Sequence, residues 1–177
     1  MKSDRELVES ANNGDPDAFE VLYRRYRDWV YRLAFRFTNN QADAQDVLQE
    51  TFIYLLGKFP GFELTASMVT FLYPVVKHIS LNIRSKYRKF VSDDEILGEM
   101  AAPTSEKVGS SRAELAVVLA GVSDEQREVL LMRFVDDMSL QEIAKALKIP
   151  LGTVKSRLHN ALQKLRNDHR TKKYFLD

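Results

Sequence analysis

Three histidines, His78, His159 and His169, stand far apart along the 177-residue chain, and cysteine is absent. That composition excludes thiol catalysis, disulfide staples and Cys-based zinc sites. No paired carboxylates, no nucleophile beside a base, no phosphate-cradling loop and no metal-ligand spacing stand out. The chain is therefore expected not to be an enzyme, and to need no cofactor, metal or small-molecule substrate. Two other sets of polar residues carry the chemistry. After Gly152 come Thr153, Lys155, Ser156, Arg157, His159 and Asn160, donors and cations of the kind that read base edges and hold phosphates. Upstream, Asp43, Asp46, Gln49, Glu50 and Ile53 recur at helical spacing as a mixed acidic and apolar strip with no obvious internal use, suited to a basic partner surface.

The elements that must position these sets are helices. Gly and Pro number only 7 and 5, and apolar spacing is helical almost throughout. Ser3-Asp4-Arg5-Glu6 predicts a capping box opening a short helix, and Asp15-Pro16 a cap and first position of the next. Phe19, Leu22, Tyr23, Tyr26, Val30, Leu33 and Phe37 form its core stripe. A third helix is predicted from about Gln41 to Lys58, with Ala44, Val47, Leu48, Leu55 and Leu56 inward. A loop through Ser67 leads to a helix bearing Phe71, Leu72, Val75, Val76, Ile79 and Ile83, where Pro74 predicts a kink or the helix start. Ser123 and Ser139 open two further predicted capping boxes.

The region from Ser139 to Leu165 reads as a helix-turn-helix. Leu140–Leu147 is followed by a turn at Lys148-Ile149-Pro150-Leu151, and a second helix begins at Thr153. Ile143, Ala144, Leu147, Ile149, Val154, Leu158 and Leu162 would fix the crossing. A left-handed Lys148 would cost about 1 kcal/mol. Such a second helix lies in the DNA major groove, and the amides near Gly152 and Thr153 suit a phosphate.

Between 91 and 111 the periodicity fades into Asp, Glu, Gly, Ser and Ala-Pro, a linker. The expected fold is all-α: two small helical domains, 1–90 and 112–177, joined by a flexible linker, the second containing the helix-turn-helix. Lys+Arg 26 against Asp+Glu 25 leaves a net charge of +1, but basic residues crowd the C-terminal helix while acids cluster upstream. No secretory segment and no apolar run of about 20 residues occurs, so a cytoplasmic protein without membrane insertion is expected.

Asp124-Glu125-Gln126-Arg127-Glu128-Val129-Leu130-Leu131, Gln141-Glu142-Ile143-Ala144 and Gly152-Thr153-Val154-Lys155-Ser156-Arg157-Leu158 closely resemble the fourth conserved domain of sigma factors. Asp15-Pro16-Asp17-Ala18-Phe19, with Ala42 to Phe52, is similar to their second domain. The chain resembles the extracytoplasmic-function group of the sigma-70 family. That resemblance implies binding to core RNA polymerase, through the largest-subunit clamp helices and the β flap, and to promoter DNA. It places the minus-35 element against Thr153, Lys155, Ser156, Arg157, His159 and Asn160. It places the opened minus-ten element against Phe62, Phe71, Lys77, His78, Asn82, Arg84 and Lys86. It also implies an anti-sigma factor as a partner.

From the residues alone, Phe62 and Phe71 are either core or base platforms, and the acidic linker is either a spacer or an occupant of a basic channel. A DNA-binding regulator with a helical sensor and a recombinase are the competing readings. The regulator requires a symmetric site; the recombinase needs a nucleophile among clustered arginines on a sheet scaffold. Two DNA turns span about 70 Å, which a linker of about twenty residues reaches only when extended.

Overall fold

The computed structural model describes residues 2–91, 119, 121–169 and 171, with the side chains of 87–91 left aside. The linker beyond Val91, the aromatic side chains of Tyr87 and Phe90, and Arg170, Lys172 and Lys173 lie outside this set. Seven helices and no strand occur among the described residues: α1 Asp4–Asn12, α2 Pro16–Thr38, α3 Gln41–Leu56, α4 Met68–Val91, α5 Asp124–Phe134, α6 Leu140–Leu147 and α7 Leu151–Asn167. The chain divides into two compact units, Met1–Ile96 and Leu97–Asp177.

In the first unit, α2 packs against α1, α3 and α4. Each start has its local cause. Ser3 Oγ accepts the Glu6 N–H, and the Glu6 carboxylate accepts the Ser3 N–H at 2.6 Å. These bonds to the Ser3 backbone and hydroxyl hold the Glu6 carboxyl below its ordinary pKa. Asp15 caps α2 through the amides of Asp17 and Ala18, with Pro16 at the first position. Asn39 closes α2 in the left-handed conformation, which Asn tolerates. Asn40 then caps α3.

Leu22, Val30 and Leu33 of α2 meet Ala44, Val47, Phe52 and Leu55 of α3 and Leu72, Tyr73 and Val76 of α4 in one buried core. Tyr23 packs edge-on against Phe52, and Phe37 against Tyr73. One expectation fails here. Leu56 is 53% exposed, because the inward arc runs Ala44, Val47, Thr51, Leu55 and the next residue turns about 100° away. Of the two readings open for Pro74, a kink or the helix start, the second is excluded: Pro74 lies inside α4, which begins six residues earlier, where Ser67 accepts the Thr70 N–H.

In the second unit, α6 opens with the predicted capping box between Ser139 and Glu142. Lys148 ends it at φ 54°, ψ 43°, the left-handed turn anticipated from the sequence. Helix α7 starts at Leu151 rather than Thr153, after Pro150. The Ser123 side chain makes no capping bond. Instead Arg127 reaches back from within α5 and donates to the carbonyls of Leu119 and Val122 and to the Asp124 carboxylate, at 2.8, 2.9 and 3.0 Å. Val122, Leu130, Ala161 and Leu165 form a buried cluster with Leu119, Leu158 and Leu162 against it. Ile143 and Val154 are fully buried, Ala144, expected where the two helices approach, is half-buried, and Ala146 is covered.

Candidate nucleic-acid and partner interfaces

Helix α7 buries Val154, Ala161 and Leu165, and this orients the rest. Lys155, Ser156, His159 and Asn160 are exposed together, one helical turn repeating the next, and Gln163 and Lys164 continue the same surface. Gln163 escaped the sequence reading, although its i+4 spacing from His159 marks it. Thr153 is half-buried at the edge, and its carbonyl accepts the Ser156 hydroxyl at 3.0 Å. The Thr153 amide donates to the Pro150 carbonyl, so of the two amides suggested for phosphate only that of Gly152 sits at the open end.

Arg157 is the departure. Its guanidinium lies 2.8 Å from the Glu125 carboxylate of α5, and its side chain is 23% exposed. It is held against its own domain, not grouped with the exposed donors.

On α3, Asp46, Gln49, Glu50 and Ile53 are all exposed on one face, Ile53 to 68%. Asp43 is not with them. It is only 9% exposed, on the edge of the inward arc in the first turn, where the helix N-terminus favours its charge. Two residues the spacing missed extend the strip: Leu56, read as core, and Tyr54, which is 44% exposed. The face is thus acidic at one end and apolar at the other.

Phe62 and Phe71 are drawn into an aromatic cluster. Phe62 is 9% exposed, with ring centres 5.6 Å from Phe59 and 4.7 Å from Phe71. Phe71 is half-buried and stacks on Tyr54, above which the Lys58 ammonium sits 4.4 Å from the ring centre. Of the two roles open to Phe62 from the residues, core or base platform, its packing accords with the first. Along α4, His78, Asn82 and Lys86 share one exposed face, His78 Nε2 lying 3.0 Å from Asn82 Nδ2. Lys77 and Arg84 lie on another face; Lys77 is half-buried, and Arg84 donates to the Phe37 carbonyl at 3.1 Å.

Among the described residues no cluster of His, Asp or Glu could hold a metal ion, and no helix is long and apolar enough to cross a membrane. Two separate helical units, one with a helix-turn-helix and the other with an acidic-apolar strip beside an aromatic cluster, define a two-module DNA-binding architecture. Known proteins agree. Residues 22–90 match Sigma-70 region 2, and residues 118–167 match Sigma-70, region 4.

The chain is 30% identical over 159 residues to the RNA polymerase sigma-E factor of Streptomyces coelicolor, covering 88% of each. It is 29% identical over 180 residues to the ECF RNA polymerase sigma factor SigW of Bacillus subtilis, covering 94% of this chain and 96% of that one. Its fold is that of CnrH, solved in complex with the cytosolic domain of CnrY, with a TM-score of 0.66 at 23% identity over 92% of this chain and 94% of the other. The chain belongs to the extracytoplasmic-function group of the sigma-70 family. It is an RNA polymerase sigma factor, which directs promoter-specific initiation of transcription.

Proposed function

We propose that the two units, with boundaries at 1–90 and 112–177 and a linker over 91–111, divide the work by face. The α7 surface of Lys155, Ser156, His159, Asn160 and Gln163, with Thr153 at its edge, reads the minus-35 element in the major groove. Arg157 serves that surface indirectly by holding α7 to α5. The exposed α3 face of Asp46, Gln49, Glu50 and Ile53, extended by Tyr54 and Leu56, docks on the clamp helices of core polymerase. The α4 face of His78, Asn82 and Lys86, with Lys77 and Arg84 nearby, tracks the opened minus-ten strand, while Phe62 and Phe71 support that region from within. The chain acts by binding and carries no catalysis of its own.

The observation that carries this reading is the presence of two unlike exposed faces on two unlike units, one cationic and amide-rich, the other acidic and apolar. A symmetric regulator has no use for the second. Acidic docking on a basic coiled coil gains from charge complementarity, and cations on α7 gain from counterion release at phosphates.

We place the protein in the cytoplasm, where polymerase and promoter are, without membrane insertion. The solved complex of the sigma factor RpoE of Bartonella quintana, a chain of the same fold, with the anti-sigma factor NepR supports an anti-sigma factor as a further partner. The decisive experiment is run-off transcription from genomic fragments with core polymerase, with and without the chain. New, discrete start sites that require the chain are expected, each with two unlike upstream elements in the footprint. No association with core polymerase, or a single palindromic footprint, overturns the reading.

A further inference from the structure

Asn12, the last residue of α1, grips a piece of backbone about fifty residues away. Its Oδ1 accepts the N–H groups of Gly61 and Phe62 at 2.8 and 3.0 Å, and its Nδ2 donates to the Phe62 carbonyl at 3.0 Å. One amide side chain thereby satisfies three main-chain groups in the loop between α3 and α4. The loop needs such a hold. Gly61 turns at φ 100°, a conformation open to glycine, and no helix or strand ladder pairs the segment from Gly61 to Ala66.

The grip is anchored at both ends. The Phe62 ring is buried between Phe59 and Phe71, so main chain and side chain of the same residue are fixed independently. Helix α1 is itself tied down at its start, where the Asp4 carboxylate accepts from the Arg25 guanidinium and the Tyr26 hydroxyl of α2. Leu7 and Val8 bury its inner face. Helix α1 is a strut running from α2 to the loop, and beside it a shallow cleft of about 330 Å³ has Arg5, Asn12, Phe62 and Glu63 in its wall.

We infer that Asn12 is a positioning residue for base selection: it holds the Gly61–Phe62 backbone so that the loop following it meets the opened strand in one fixed geometry. The inference rests on the proposed tracking of the minus-ten strand by α4, into whose first turn this loop leads directly. A loop set in place before the strand arrives loses little freedom on binding, and a misplaced base then lacks its contacts. Asn suits the position because its short side chain carries an acceptor oxygen and a donor nitrogen side by side on one planar group. Asp keeps the acceptor but sets an oxygen against the Phe62 carbonyl; Ala offers neither.

The test uses holoenzyme assembled from core polymerase and the full chain, selecting from short single-stranded DNA oligonucleotides randomised at every position. Wild-type holoenzyme is expected to enrich defined bases. With Asn12→Ala, enrichment at one position or two adjacent positions falls about tenfold, the size of one well-placed contact, while the other positions and the affinity for core polymerase hold. Asn12→Asp gives an intermediate loss at the same positions and decides the matter alone if the alanine variant yields no holoenzyme. An unchanged base preference, or an even fall across all positions, overturns the inference and leaves Asn12 as a fold brace. If wild-type holoenzyme enriches no base anywhere, strand capture by this region is itself wrong, and the inference goes with it.

Discussion

The Arg157 guanidinium and the Glu125 carboxylate lie 2.8 Å apart, joining α7, the second helix of the helix-turn-helix, to α5. Arg157 sits one residue beyond Ser156 yet turns about 100° away from the exposed surface. A partly exposed pair of this kind contributes about 0.5–1 kcal/mol. A double-mutant cycle of Arg157→Ala and Glu125→Ala, followed by thermal denaturation, should return a coupling of about that size. On DNA, Arg157→Ala should weaken binding evenly across promoter variants. Asn160→Ala or His159→Ala should instead relax selectivity at a single base pair, by about 1–3 kcal/mol for a well-paired contact. Loss of selectivity at one base pair in Arg157→Ala would return that residue to the readers.

Asp46 and Glu50 are exposed on α3, whereas Asp43 is buried beside the same strip. The three carboxylates should therefore separate by effect. Asp46→Lys with Glu50→Lys should leave unfolding within about 0.5 kcal/mol of wild type, as surface changes do. The affinity for core polymerase, read by fluorescence anisotropy, should fall at least about tenfold through charge reversal. Asp43→Ala should do the opposite, costing about 0.5–1 kcal/mol of stability by removing a first-turn acid and leaving core affinity in place. Equal core affinity for the charge-reversed chain would remove α3 from the polymerase interface.

Much of this was legible in the residues. The all-helical fold, the starts at Ser3, Asp15 and Ser139 and the left-handed end at Lys148 follow from local chemistry, which cap and turn residues state directly. What was lost is what depends on tertiary partners. The pattern at Ser123 fits a capping box, but the Arg127 guanidinium takes the work of securing that approach. Phe62 looks the same in sequence whether it faces a base or a core, and only its packing on Phe59 and Phe71 separates the two. Arg157 carries the right charge at the right helix, but the position of Glu125 decides where that charge points. Asn12 gave no signal at all, since its three partners lie about fifty residues on.

Tyr26 gives the stability a pH dependence of definite sign. Burial, and then the hydrogen bond to Asp4, raise its phenol pKa above the ordinary tyrosine value. The unfolded chain loses this proton near pH ~10, while the folded chain keeps it to higher pH. Over that window the folded state binds more protons, so stability falls as pH rises, and the contribution is fully present below the ordinary value. Tyr26→Phe should be weaker than wild type by about 1 kcal/mol near neutral pH, the net worth of the bond to Asp4. The gap should narrow above about pH 10. Thermal denaturation of both proteins across that range checks it; a constant gap would mean the phenol does not titrate with folding.

Thr51 is fully buried in α3, and its Oγ1 has no hydrogen-bond partner. Ser80, in an equivalent buried setting on α4, donates to the Val76 carbonyl at 2.7 Å. A stranded hydroxyl costs roughly 1–3 kcal/mol, and replacing it with a methyl of similar size removes that cost. Thr51→Val should therefore stabilise the first unit by about 1 kcal/mol, raising its Tm by about 4–8 °C. A lower Tm would show that the hydroxyl is satisfied.

Lys148 links α6 to α7 at φ 54°, and a lysine side chain pays for that conformation where glycine would not. Two carbonyls of the last turn of α6 are nonetheless satisfied, since the Lys148 and Ile149 amides donate to Lys145 and Ala144. The strain is confined to one residue whose side chain is exposed, so its removal disturbs no packing. Lys148→Gly relieves about 1 kcal/mol of left-handed strain but returns part of it through the greater freedom of glycine in the unfolded chain. A net gain of about 0.5 kcal/mol in denaturant unfolding is the expected balance. Lys148→Ala should bring little change, because alanine keeps the same Cβ clash. Equal gains from both variants would place the cost in the lysine charge rather than in the backbone. The turn sets the crossing of the two helices, so either variant should leave DNA affinity altered by no more than the loss of one phosphate-seeking cation. A steeper loss with glycine alone would mean that the turn's rigidity, not just its shape, holds α7 in register with the groove.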